Sequence, residues 1–170
     1  MDDFFGVKTE VQKVMQICVA GVPHAQTRAR HVIKNGKSIV YSNATQGIKL
    51  WKLKLRRELS AAFKALELNA LEGALCVDML FMIPIKDKKR HYQLSYTKPD
   101  KDSLEKACLD IMESVGFFLK GDSQVAAGEV MKMYVPHGAS GVKVQLSRIR
   151  IKKAPSVGAE GKVGIDWLSP

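Results

Sequence analysis

Cysteine is scarce in this chain and carries no pattern. Cys18, Cys76 and Cys108 are odd in number, lie in apolar runs and lack the spacing of a metal-ligand set. They read as buried thiols in a reducing compartment. His24 and His31 have no partner at metal or triad spacing and stay unassigned. No apolar run approaches the roughly 20 residues that a membrane helix requires. The Met1-Asp2-Asp3 start lacks the basic region of a signal peptide. These absences point to a cytoplasmic protein with no membrane partner. Internal repeats and low-complexity blocks are missing too. Acidic residues are few: 17 Asp and Glu stand against 27 Lys and Arg, a formal charge of +10. That balance favours a polyanionic partner, although ribosomal and membrane-surface proteins share it. A chain of 170 residues suffices for one domain with its own core.

Against this basic background one acidic notch stands out, Lys98-Pro99-Asp100-Lys101-Asp102-Ser103-Leu104-Glu105-Lys106. Pro99 stiffens the approach and pushes its predecessor into extended backbone. Asp102 is expected as the cap of a helix, with Glu105 at N3 completing a capping box. Behind it Leu104, Ala107, Cys108, Ile111, Met112 and Val115 recur at helical spacing and face a core. Asp102, Lys106, Asp110 and Glu113 line the opposite face. An Asp before a helix is often only a cap, but one cap does not need a second acid two residues earlier. Two carboxylates and an ammonium at one helix mouth suit Mg²⁺, which takes one or two carboxylates plus substrate phosphate oxygens.

The run from Lys98 to Asp110, followed by Gly116-Phe117-Phe118-Leu119-Lys120-Gly121-Asp122-Ser123-Gln124-Val125, closely resembles the RusA family of Holliday-junction resolvases. The family pattern is Asp-x-Asp-Asn-Leu-x-Lys-Ala-x-x-Asp, then Gly-aromatic-aromatic, then Asp-Ser/Ala-Gln-Val. Gly21-Val22-Pro23 with Arg28 and Arg30 extends the likeness, which spans roughly residues 16 to 152. Two positions depart from it: Ser103 stands where Asn is usual, and Gly121-Asp122 where two acids are usual. The resemblance implies that Asp100, Asp102 and Asp122 bind metal and that Lys106 is catalytic. It implies a Mg²⁺-dependent endodeoxyribonuclease, with Mn²⁺ able to substitute. It also implies paired symmetric nicks in a four-way junction, made by a homodimer in a bacterial cell or phage-infected host. Two alternatives stay open: a nuclease selective for flaps or forks, and a non-cleaving junction-binding protein.

Taken in order, Val11 to Val19 reads as a first strand. Asn35-Gly36 marks a hairpin turn in a segment rich in basic residues. Arg28 and Arg30, two apart, can grip successive phosphates or simply be solvated. Asn43 or Thr45 caps a helix running to about Leu68, with Ile48, Trp51, Leu55, Leu59, Ala62, Phe63 and Leu66 as its apolar stripe. Leu75 to Ile85 reads as a central strand buried on both sides. The loop after it mixes Lys88, Lys89 and Arg90 with Tyr92 and Tyr96, and with Lys98 forms a candidate DNA-binding surface. From Asp102 to Val115 a helix covers about 20 Å, and extended chain from Gly116 to Asp122 returns about as far. Val125 to Val135 and Val142 to Ile151 are expected to form a terminal hairpin.

These pieces predict a single compact α/β (α+β) domain, with a mixed sheet and two main helices, over residues 1–152. Residues 153–170 are expected to be a tail, with Ile165, Trp167 and Leu168 as a docking handle.

Overall fold

The computed structural model describes residues 3–4, 7–26, 29–42 and 45–151. Arg28 and the C-terminal stretch 153–170 lie outside the described residues. In chain order the elements are β1 (Asp3–Phe4), β2 (Val7–Ala20), β3 (Ala29–Lys34), β4 (Lys37–Ser42), α1 (Gln46–Ala65), β5 (Leu75–Pro84), α2 (Lys101–Val115), β6 (Val125–Ala127), β7 (Val130–Val135) and β8 (Gly141–Ile151). The fold is mixed α/β, as predicted: one six-stranded mixed sheet and two helices, with β3 and β4 forming a separate hairpin.

β5 is the strand on which the sheet is built. Leu75, Val77, Met79, Phe81 and Ile83 point to one face and are buried. A single apolar cluster joins them to Trp51, Leu55 and Leu59 of α1 and to Leu104, Cys108, Ile111 and Met112 of α2. The helices therefore pack together over one face of the sheet, and the apolar stripes expected of both are the buried ones. Burial on both sides was the expectation for β5. Its other face is only half-buried, and Asp78 stands there. The Asp78 carboxylate accepts from the Glu129 backbone N–H at 2.9 Å and from Gln145 Nε2 at 3.3 Å. With both helices on one side, nothing among the described residues covers the second face to the same depth.

The expected terminal hairpin does not form. β6 and β7 run parallel to β5 along one of its edges, with Met79 opposite Val130 and Pro84 opposite Val135. β8 pairs antiparallel with the other edge of β5 and with β2. β5 thus lies between the two strands that were expected to be partners. Alternation marks a strand but carries no information about its neighbour.

Local features follow their sequence signals. Asn35 and Gly36 both take positive φ, 52° and 73°, as a two-residue hairpin turn requires. The Thr45 hydroxyl caps α1 by accepting from the Ile48 N–H at 3.4 Å. α1 ends at Ala65, short of the expected Leu68. The cysteines need a correction: Cys18 is exposed, Cys76 half-buried and Cys108 buried. Cys18 precedes the buried Val19, so strand alternation turns it away from the core. Burial pushes the Cys108 thiol up to about 12. Among the described residues, no helix is long and apolar enough to cross a membrane.

The turn from β6 into β7 depends on Gly128. Its φ is +153°, and a Cβ there would sit 2.1 Å from the Val77 carbonyl oxygen. The adjoining Glu129 carbonyl accepts from the Met79 N–H at 2.8 Å, so the backbone cannot easily retreat. Gly128→Ala should lower the unfolding free energy by about 3 kcal/mol. Urea unfolding would measure it, and a loss below about 1 kcal/mol would show that this turn yields freely.

Candidate active site

α2 begins two residues earlier than its capping pattern suggests. The N-cap is Asp100, in extended backbone, and its side chain makes no cap hydrogen bond. Asp102, the expected cap, instead lies in the first turn, near the positive end of the helix dipole. Both acids are exposed. The approach to them is held by Lys132 of β7, whose ammonium donates to the carbonyls of Thr97 and Pro99 at 2.8 Å each. The Lys98–Pro99 peptide is cis.

The far side of the site comes from the chain that returns after α2. Gly116 closes the helix with a left-handed φ of +101°, and Phe117 and Phe118 enter the core. Gln124 then braces the turn: its Nε2 donates to the carbonyls of Leu71 and Gly73, while its Oε1 accepts from the Lys120 N–H. Ser123 Oγ donates to the Lys120 carbonyl at 3.0 Å. The residues around Asp122 thus hold the loop, and Asp122 is left to face α2.

There it meets Lys106. Lys106 Nζ lies 2.6 Å from Asp122 Oδ2 and 2.9 Å from Asp110 Oδ1. The hydrogen bonds that the ammonium donates to Asp122 and Asp110, in that order, raise the Lys106 pKa above its ordinary value. Carboxylate oxygens of Asp110, Glu113 and Asp122 all lie within 4.8 Å of one another. Asp100 and Asp102 are not part of that group. Of the expected acids, then, Asp122 reaches α2 beside Lys106, while Asp100 and Asp102 stand at the helix mouth, Asp102 one turn before the lysine.

A family model for endodeoxyribonuclease RusA matches residues 20–147, a stretch that contains every side chain of this site. The chain belongs to the RusA family. The resemblance read from residues 98–125 is therefore borne out, and membership implies an endonuclease that resolves Holliday junctions. Compared with curated proteins, the chain has no match.

Within the RusA domain, Asp110 and Glu113 were not singled out from sequence as site residues. The signal was present, since steps of four and three put both on the Lys106 face of α2. Gly121 explains why Glu113 is there. At φ +79° it carries no side chain, and the Glu113 carboxylate lies 3.0 Å from where its Cβ would be. An acid from the helix thus fills space that the usual pair of loop acids would need.

The expected DNA-binding residues separate. Lys88, Lys89 and Lys98 are exposed. Arg90 is engaged inside the fold: its guanidinium lies 4.4 Å from the Tyr134 ring centroid and 4.7 Å from that of Tyr96, and it donates to Tyr134 Oη at 2.6 Å. Arg30 lies in β3 opposite Tyr41.

Lys106 is more than half exposed, so its ion pairs add little to folding, about 1 kcal/mol or less. Because its folded pKa is raised, that stability is fully present below the unfolded lysine value of about 10.4 and fades above it. The stability gap between wild type and Lys106→Met should accordingly stay level from about pH 6 to 10 and narrow at higher pH. A gap already closing near pH 8 in urea titrations would contradict the raised value.

Proposed function

We propose that this chain is a Mg²⁺-dependent endonuclease that resolves four-way DNA junctions by paired symmetric nicks, as a homodimer. The observation that carries the reading is the Lys106 ammonium beside Asp122, within a segment matched to the RusA family. The converging carboxylates of Asp110, Glu113 and Asp122 suit a hard divalent ion, being oxygen donors throughout. Asp100, Asp102 and Asp122 would hold it, with Asp110 and Glu113 adjoining Asp122. The uncapped carboxylate of Asp100 supports this assignment, because that side chain is not spent on the helix. When bound, the ion supplies Lewis acidity at the phosphodiester. Lys106 offers a fixed cation for charge that develops on the phosphate as water attacks phosphorus and the P–O bond breaks. The exposed Lys88, Lys89 and Lys98 would meet backbone phosphates, with Arg28 and Arg30 proposed to join them, whereas the Arg90 guanidinium is taken up by Tyr134. A junction of near two-fold symmetry calls for two copies of the site, which a C2 dimer provides.

Incubation with a synthetic four-way junction, a flap and a linear duplex, with and without Mg²⁺, tests the reading. Symmetric nicks in the junction, stopped by chelator and accompanied by a dimer in sedimentation, are expected. Preference for the flap would favour a flap nuclease, and tight binding without nicking would favour a junction-binding protein. Asp100→Asn, Asp102→Asn and Asp122→Asn should each slow nicking by about a thousandfold or more. Junction affinity in chelator should hold or tighten, because carboxylate repulsion of phosphate is relieved. Wild-type nicking by these variants would sink the metal assignment, and a larger loss in Asp110→Asn and Glu113→Gln would move it along the helix.

Salt dependence reports on the basic surface. Replacing both Lys88 and Lys89 by Ala should flatten the log–log salt slope of junction binding by about two units. An unchanged slope would return both lysines to bulk solvent.

A further inference from the structure

Gln26 joins three parts of the chain at the edge of the site. Its backbone N–H donates to the Ser103 carbonyl of α2 at 2.9 Å. Its side-chain Nε2 donates to Asp110 Oδ2 at 2.9 Å, and its Oε1 accepts from Lys52 Nζ of α1. Asp110 is thereby held at both oxygens, by Gln26 at one and by Lys106 at the other. An amide is the group suited to this place, since it presents a donor to the carboxylate and an acceptor to the ammonium. A carboxylate at position 26 would serve Lys52 and repel Asp110, and an ammonium would do the reverse.

We propose that Gln26 is a positioning residue for strand cleavage, which fixes Asp110 and through it the Lys106 ammonium, and which ties this centre to the basic helix α1. The proposal rests on the nuclease reading above. Lys106 is a long, half-exposed side chain with many rotamers, so a fixed ammonium needs restraint from its partners. Asp122 is restrained by its own turn through Gln124. Asp110 lies on an open helix face, and Gln26 supplies the equivalent restraint from outside the helix. Lys52 belongs to the first half of α1, beside Lys49, Lys54, Arg56 and Arg57. It is half-buried and turned toward Gln26, a second cation drawn to this acidic cluster.

The test uses Gln26→Met, which keeps the length of the side chain and loses both hydrogen bonds, and Gln26→Glu, which keeps only the acceptor. Nicking of a four-way junction in Mg²⁺ should fall about tenfold in Gln26→Met, the worth of one modest hydrogen bond, and further in Gln26→Glu. Junction affinity in chelator should stay within about twofold, because no phosphate contact is removed. In an Asp110→Ala background Gln26→Met should cause no further loss, since the residue it acts through is gone. The ¹⁵N NMR signal of the Lys106 ammonium, assigned with Lys106→Met, should show restrained motion in the wild type and averaging in Gln26→Met. Wild-type nicking in Gln26→Met, additive losses in the double variant, or an unchanged Lys106 signal would each overturn the proposal. A wild-type chain that nicks no junction would overturn the nuclease reading alone. The Lys106 signal would then still support the positioning link or refute it.

Discussion

Burial of one face of β5 beneath two helices is the constraint on which the other features depend. Five alternate side chains from Leu75 to Ile83 meet the apolar stripes of α1 and α2 in one cluster. Because α2 must present Leu104, Ala107, Cys108, Ile111 and Met112 to that cluster, its opposite face is committed to solvent. Lys106, Asp110 and Glu113 lie on that opposite face. The same packing draws Phe117 and Phe118 inward after Gly116, which starts the chain on its way back toward the middle of the helix. The acidic site is thus a by-product of how the core closes.

Within the site the charges are arranged by contrast with the rest of the molecule. A chain with a formal charge of +10 gathers acids along one face of α2 and places cations among them. Lys106 stands between Asp110 and Asp122, and Lys52 reaches the same cluster through Gln26. Cations inside an acidic group limit its repulsion while leaving oxygen atoms toward solvent. For a nuclease this reconciles two demands, attraction of a polyanion by the whole surface and carboxylates at the point of chemistry.

Short-range physics made much of this legible in advance. The Asn35-Gly36 turn, the Thr45 cap, the stripes of both helices and the strand at Leu75 each follow from a few neighbouring residues. Asp102 misled because Asp100, two residues earlier, met the same local rule, and the helix began directly behind it. Arg90 misled in another way. Its neighbours read as an exposed basic loop, yet Tyr134 from a distant strand takes up its guanidinium.

By itself the sequence determined the family, the α/β class, the periodic faces of both helices and the acids and lysine that share the motif between residues 98 and 125. Each of these is encoded within a window of a few turns or one strand, where spacing alone decides which side chains lie together. Tertiary structure alone decided that β5 separates β7 from β8, that Asp122 meets Lys106 beside Asp110 and Glu113, and that Gln26 and Lys52 join them. Lys106 and Asp122 are 16 positions apart, and Gln26 and Asp110 are 84 apart. What selects such partners is the closure of a shared core, and no local pattern contains it.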